Sequence, residues 1–415
     1  MPRSALALTA LATTAVPGLD AVATCEPQRV TTDFQTTGVL DSAGRRWVVR
    51  CPLTPAAGAS FEGEIALLGV LDRAVQDGLL PFDVPRAAGF AALPEGGRLM
   101  VSALLRGRPL ELGDLTPGPG LSAAVGAAIA ALHELDVSLI ADVGLPVYTA
   151  DSYRRRCLAE VDEAARTGRV PSVLLNRWER ALEDVTLWRF RATPVHADLA
   201  PEQVLVADGQ VTGIVSFSEA HVGDPAEDLA WLMASAPEDA LDAIIESYSL
   251  ARAENADGAL LDRAMLTSEL ALARWLLHGV RSGQESVVED AVQMLEDLAA
   301  DVIDAPPIGY HEPVVVPAAA WPVMTEEIPV EAGAGGVADD VAGADADAEG
   351  SFDEDDDATT DGDDTAATDD AAGAPLVPET EVIVRTPLGA DAGNRVPVTE
   401  AIDFEALREA DPEQR

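Results

Sequence analysis

The chain has 415 residues, 48% of them hydrophobic, enough to bury a sizeable core over most of its length. Its formal net charge is −45 and its isoelectric point about 4.1, which makes nucleic acid and anionic membrane surfaces poor partners. All 27 basic residues are arginines, so any task that needs a permanent positive charge falls to a guanidinium.

Residues 1–105 are expected to form an α+β lobe. The chain opens with Arg3, an Ala/Leu/Thr run to Val16 and an apolar segment ending at Cys25, a faint likeness to a secretion signal. The run is Thr-rich and broken by Pro17 and Gly18, so a short helix packed on the first sheet is the favoured reading. Residues 38–50 read as strand, glycine-containing turn, strand. Residues 60–76 have helical spacing, with Phe61, Ile65, Leu68 and Leu71 on one face. Residues 81–89 read as a loop and 98–105 as another strand. Cys25, Cys51 and Cys157 are widely spaced and form no CxxC pair, which favours reduced thiols in a cytoplasmic protein. No apolar run reaches membrane-spanning length.

Residues 106–305 are expected to form a mainly helical lobe, entered through a hinge at Arg106-Gly107-Arg108-Pro109-Leu110. Helices are predicted at 121–135, 151–166, 171–188, 226–235, 237–254, 259–281 and 285–303, with Trp231, Trp275 and Leu276 as core candidates. From 306 the character changes. Residues 306–415 are Pro/Val/Ala-rich and then Ala/Gly/Asp-rich, with 28 acids against 4 arginines. Such a segment buries too little apolar surface to fold, so a disordered acidic linker and tail is expected. A solvating appendage is the plain reading of it, and a docking arm for a basic partner the alternative.

Residues 195–232 carry the most chemistry. A short loop, 196–203, leads into the apolar strand Val204-Leu205-Val206. Asp208-Gly209 is a hairpin turn between two apolar runs. A second strand, 211–217, is followed by Gly223-Asp224-Pro225, which breaks the chain and starts a helix. Kinase-type folds place a catalytic Asp and their metal ligands on such a loop–strand–turn–strand scaffold. Their loop reads His-x-Asp-Leu-x-x-x-Asn, with a second Asp at the end of the hairpin. Here His196, Asp198 and Leu199 match, Gln203 stands at the Asn position, and Ser216 stands at the second Asp position.

This stretch resembles the aminoglycoside phosphotransferase superfamily, and within it the macrolide phosphotransferases of high-GC bacteria. The resemblance runs from the N-terminus to about residue 300. It implies a bilobal protein-kinase-like α+β fold, a cytoplasmic enzyme, ATP or GTP with Mg²⁺ as cofactor, and a small-molecule antibiotic as acceptor. It implies that Asp198 is the catalytic residue and that Gln203 and Ser216 occupy the metal positions. Arg50 ends the strand where kinases place a phosphate-binding Lys, and Glu64 is its implied partner. In the same family the segment holding Asp224 and Asp228 braces the loop and caps a helix. His196 reads as structural, and His133, His221, His278 and His311 as ordinary. The phosphate-covering turn is expected somewhere in 33–44.

Two readings follow. One is a kinase that phosphorylates an antibiotic hydroxyl, most naturally a macrolide's. The alternative is a pseudokinase or ligand-binding protein, because the Ser216 hydroxyl is a weak ligand for a hard dication. Nearby acids that could substitute are Glu202, Glu219 and Asp224. Taken alone, the sequence makes Ser216→Asp a restoring substitution.

Overall fold

The computed structural model describes residues 2–253 and 257–311. The segment expected to be a disordered tail therefore lies outside the described residues, except at 306–311.

Helix α1 (Ala5–Ala15) is capped by Ser4, whose hydroxyl accepts the Ala7 amide at 3.2 Å. Its Leu8 and Ala12 are buried against Val39, Val49 and Leu99, so the N-terminal run is the packed helix the sequence favoured. Five antiparallel strands follow: β1 (Ala21–Val30), β2 (Phe34–Asp41), β3 (Arg46–Pro52), β4 (Ala87–Ala92) and β5 (Arg98–Ala103). Their order across the sheet is β1-β2-β3-β5-β4. Helix α2 (Pro55–Gln76) connects β3 to β4. Thr54 caps it through the Ala57 amide, and Pro55 supplies the fixed φ suited to a first turn.

Two expectations change here. The segment 81–89 is not loop throughout, because β4 begins at Ala87. Its Ala-Ala-Gly-Phe-Ala-Ala sequence lacks the β-branched residues that mark a strand, and only pairing with β5 makes it one. The expectation of a phosphate-covering turn somewhere in 33–44 also narrows, because that span reaches both ends of the sheet. Pairing sets Thr36 opposite Arg50 and Leu40 opposite Arg46, so Gly44 lies at the far end of the sheet from Arg50. The turn at Arg50's end is Thr31-Thr32-Asp33, between β1 and β2, closed by the Thr31 amide donating to the Phe34 carbonyl at 2.8 Å.

The remaining elements form the helical part. They are β6 (Arg108–Pro109), α3 (Leu121–His133), α4 (Ser138–Ala141), α5 (Ala150–Arg166), α6 (Ser172–Glu183), β7 (Thr193–Val195), β8 (Val204–Ala207), β9 (Gln210–Ile214), β10 (His221–Gly223), α7 (Ala230–Ser235), α8 (Glu238–Ala251), α9 (Leu260–Ser282) and α10 (Glu285–Asp301). Strands β6, β8 and β9 make one small sheet, and β7 and β10 another. Asp208 and Gly209 both take positive φ, as a tight two-residue hairpin requires. Gly126 lets α3 lie on α8: a Cβ there would come within 2.1 Å of the Ile244 carbonyl oxygen. The predicted hinge is sewn to the β8–β9 hairpin, since Arg108 pairs with Val206 and the Leu110 amide donates to the Val204 carbonyl at 2.8 Å.

One core runs from Phe61, Leu67 and Leu71 of α2 through Val125 and Ile129 of α3 to Leu199, Val204 and Phe217. It continues from the sheet lobe into the loop that carries Asp198. A second core gathers α5, α6, α9 and α10 around Trp178. Leu276 is fully buried in it, whereas Trp231 and Trp275 are only partly buried. Ile308 also belongs to this second core, and the Pro306 carbonyl accepts Arg177 at 2.6 Å. Packing of the helical part thus reaches past residue 305, where composition alone placed its end.

Candidate active site

The loop 196–203 is held from beneath by one carboxylate. Asp228 is fully buried, and its two oxygens accept the His196 amide at 2.8 Å and the Ala197 amide at 2.7 Å. His133, one of the histidines read as ordinary, donates from Nε2 to the same carboxylate at 3.0 Å and meets the Tyr248 hydroxyl at 2.9 Å through Nδ1. Burial opposes ionisation of Asp228. The hydrogen bond from His133, the nearby imidazoles and the loop amide outweigh it and hold the carboxyl below its ordinary range. Fixing both amides forces Ala197 into a left-handed conformation with φ of 63°, which turns the chain so that Asp198 follows.

His196 locks the loop to the hairpin. A carbonyl can only accept, so the 3.0 Å contact with the Val215 carbonyl puts the proton on Nε2. Nδ1 is then the acceptor for the Asp198 amide at 3.3 Å. The ring also lies 4.7 Å from that of Phe217. Asp224 does the work expected of it at the next turn, accepting the Ala226 amide at 3.0 Å. It also forms a fully buried ion pair with Arg263 through contacts of 2.7 and 3.0 Å.

On the sheet side the structure brings Arg50, Glu64 and Ser216 together. Glu64, on α2 and 1% exposed, meets Arg50 at 3.3 Å and accepts the Phe217 amide at 3.1 Å. Arg50 donates from Nη1 to the Ser216 hydroxyl at 2.6 Å, and its Nη2 lies 3.5 Å from the Ser218 hydroxyl. The guanidinium carbon sits 4.1 Å from the centre of the Phe34 ring and 5.8 Å from that of Phe61. Sequence reasoning missed Phe34, Phe61 and Ser218 as neighbours of Arg50. Phe61 was legible only as a core position, and nothing in the sequence ties Phe34 or Ser218 to residue 50.

Gln203 stands between the two halves. Its carbonyl accepts the Val215 amide at 3.1 Å, which sets it opposite the residue that precedes Ser216. The side chain is 1% exposed, and neither amide atom has a hydrogen-bond partner among the described residues. A buried amide without partners costs free energy that a bound ligand would return. Glu219, three residues past Ser216, is half-buried, and its carboxyl is pushed up to about 7. Burial is the main cause, and the negative charge of Asp198 adds to it. Arg29 of β1 reaches across to Glu202 of the loop at 2.5 Å, which ties the β1–β2 hairpin to the loop that bears Asp198.

The residues at the two metal positions do not fit a divalent cation. The Ser216 hydroxyl is neutral and already accepts a guanidinium, so an ion placed on it would face a like charge. No three His, Cys, Asp or Glu side chains among the described residues are grouped to hold a metal. The amide oxygen of Gln203 is the one suitable donor at these two positions.

A family model described as the phosphotransferase enzyme family matches residues 25–266. The chain belongs to this family. Among curated proteins it is 26% identical over 214 residues to the uncharacterized protein YcbJ of Bacillus subtilis (strain 168). That alignment covers 47% of this phosphotransferase-family chain and 65% of the relative. Among solved structures, macrolide 2′-phosphotransferase MphH from Brachybacterium faecium superposes with a TM-score of 0.59 at 23% identity, covering 70% of this chain and 97% of that one. A macrolide 2′-phosphotransferase type I gives 0.57 at 25%, covering 71% and 98%. The GDP complex of wild-type aminoglycoside 2′-phosphotransferase-IIIa gives 0.61 at 19%, covering 72% and 99%. The bilobal kinase-like fold is therefore shared with these enzymes. No helix among the described residues is long and apolar enough to cross a membrane.

Proposed function

We propose that the chain transfers the terminal phosphoryl group of ATP or GTP to a hydroxyl of a small antibiotic, a macrolide before an aminoglycoside. The contact set Arg50–Glu64–Ser216, facing the loop that carries Asp198, is the observation that carries this reading. Residues 1–105 are the nucleotide lobe in this proposal, and the helical lobe from 106 presents the acceptor. Asp198 takes the proton of the acceptor hydroxyl. The hydroxyl oxygen forms a bond to the γ-phosphorus, the bond to the bridging oxygen breaks, and the nucleoside diphosphate leaves. Glu64 orients Arg50 and, through the Phe217 amide, the end of the β8–β9 hairpin. Arg50 faces the nucleotide phosphates, where its fork suits oxygen pairs.

The acceptor side supports a cationic substrate. The carboxyls of Asp198 and Glu219 feel each other's charge, and an ammonium group between them would relieve that repulsion. Macrolides and aminoglycosides both carry such an amine, and the structural neighbours include phosphotransferases of both classes. The aminoglycoside phosphotransferase above is a GDP complex, and a further structural neighbour, a streptomycin–ATP–APH(2")-IIa complex with a TM-score of 0.52 at 15% identity, holds ATP, so neither nucleotide is preferred. The test is phosphate transfer from ATP and from GTP to a panel of macrolides and aminoglycosides, read by mass increase of the drug. Transfer to a macrolide that is lost in Asp198→Ala supports the proposal. Absence of transfer to every acceptor, with nucleotide still bound, would favour the second reading, a nucleotide-binding pseudokinase. The Arg50–Ser216 contact in place of a carboxylate is the observation behind that alternative.

A further inference from the structure

We propose that Arg50 stands in for the divalent cation at the nucleotide phosphates, so that this chain binds nucleotide without metal. The inference rests on the nucleotide site proposed above and goes beyond it by naming what neutralises the phosphates.

The argument starts from the pair at residues 50 and 216. A guanidinium cannot be deprotonated in a protein and presents its donors in a rigid plane. Here that plane is placed, not merely tethered: Phe34 lies 4.1 Å from the guanidinium carbon, Glu64 meets one nitrogen at 3.3 Å, and Ser216 accepts from another at 2.6 Å. A Lys ammonium at this position would be a point charge and could not hold Glu64 and Ser216 from two nitrogens of one rigid plane, as Arg50 does. Residue 216 then decides the sign of the site. A carboxylate there would form a second ion pair with Arg50, and its charge would be spent on the guanidinium instead of on a metal. A hydroxyl holds the same nitrogen without cancelling its charge. With Ser rather than Asp at 216 the group beside Arg50 is one negative charge poorer, which favours phosphate oxygens there without a metal.

The backbone points the same way. Ser216 takes φ of 73°, a left-handed conformation that Asp and Asn tolerate better than Ser. The hairpin end therefore keeps a shape suited to Asp while carrying Ser, and the Arg50 contact gives the hydroxyl its use. Gln203 supplies the second observation. Its buried amide, without a partner among the described residues, sits one strand pairing away and offers a neutral donor and acceptor to the same ligand.

Residues 50 and 216 thus act as one unit, and the restoring effect that sequence alone assigns to Ser216→Asp is not expected. Isothermal titration of the full chain with ADP, GDP and non-hydrolysable triphosphates, in excess EDTA and in Mg²⁺, tests this. Wild type is expected to bind in EDTA within about threefold of its affinity in Mg²⁺. Arg50→Lys and Ser216→Asp, each alone, should weaken binding in EDTA by about tenfold or more, through loss or cancellation of a charge-assisted phosphate contact. The double variant Arg50→Lys/Ser216→Asp should regain affinity in Mg²⁺ but not in EDTA. Thermal melting of each variant checks that it folds, and the wild-type comparison needs no variant at all. Tight binding of wild type in Mg²⁺ with none in EDTA overturns the inference and leaves the proposed nucleotide site standing. Absence of binding for every nucleotide in both conditions overturns both.

Discussion

Two charged networks flank the loop that carries Asp198, and they have kept different things. Beneath the loop, Asp228 and Asp224 are fully buried carboxylates whose oxygens accept His133, two loop amides, a helix amide and Arg263. Above it, beside Arg50, a hydroxyl and an amide stand where the family pattern has a carboxylate and an Asn. The lower network holds geometry and tolerates no loss, because a buried charge left without its partner costs several kcal/mol. In the site proposed above the upper one would face nucleotide, so its charge can be rearranged provided that the sum still suits phosphate. A pattern that is altered only where ligand binds, over an intact brace, describes retuned chemistry better than decay of a fold.

The sharpest way to break this comparison is at Asp198 itself. Asp198→Ala is expected to lower transfer by about a thousandfold or more, by removing proton acceptance and hydroxyl orientation. The melting temperature should stay within about 2 °C, since Asp228 and His196 hold the loop through its backbone and the hairpin. Unchanged turnover would take Asp198 out of the mechanism.

The opposite profile is expected from the brace. Arg263→Ala leaves the buried Asp224 carboxylate without its ion pair and should destabilise the fold by about 3–5 kcal/mol, measured by urea unfolding. Nucleotide affinity of the molecules that remain folded should change little. If Arg263→Ala cost less than about 1 kcal/mol, the two networks would not differ in kind.

How far the sequence carries this picture depends on the range of the contacts. The catalytic loop, the Asp208-Gly209 hairpin and the helices from 121 onward were legible because their signals are local: a motif, a positive-φ turn, a 3.6-residue period. The Arg50–Glu64 pair followed from the family resemblance, and the structure places the two at 3.3 Å. Contacts that depend on register were not legible. Thr31-Thr32-Asp33 lies at Arg50's end of the sheet only because β2 pairs with β3 as it does, so the sequence left the turn open over 33–44. The Arg50–Ser216 contact spans 166 residues and has no periodic trace in the chain. The end of the helical lobe was misplaced because Pro306-Pro307 reads as linker, while a single apolar residue just beyond, Ile308, finds a core formed by distant helices.

That boundary gives a smaller effect to measure. A chain ending at 305 loses the burial of Ile308 and the Pro306 contact to Arg177, whereas one ending at 311 keeps both. The shorter chain is expected to melt about 3–5 °C lower than the longer one, the scale of burying one aliphatic side chain in a protein of this size. Equal melting temperatures would return the boundary to 305.

The smallest expected effect concerns Glu219, whose carboxyl feels the charge of Asp198. Burial, and then the Asp198 charge, raise its carboxyl from an ordinary value near 4.5 to about 7, against the opposing pull of His221 and Arg156. A raised carboxyl means that the folded chain holds this proton more tightly than the unfolded chain does. The associated stability is complete below about pH 4.5 and is lost as pH rises through about 7. Above that pH the folded protein carries an ionised carboxylate that its surroundings disfavour. Glu219→Gln removes that charge. The variant should melt about 2–4 °C above wild type at pH 8, and the gap should close toward pH 5, where the wild-type group is already protonated. The effect is kept small because Glu219 is only half-buried and water screens part of the repulsion. If the same carboxylate reads the acceptor's amine, Glu219→Gln should also raise KM for cationic acceptors at pH 8 while leaving nucleotide affinity unchanged. A gap in melting temperature that does not vary with pH would show that Glu219 faces solvent, and its place on the acceptor side would be withdrawn.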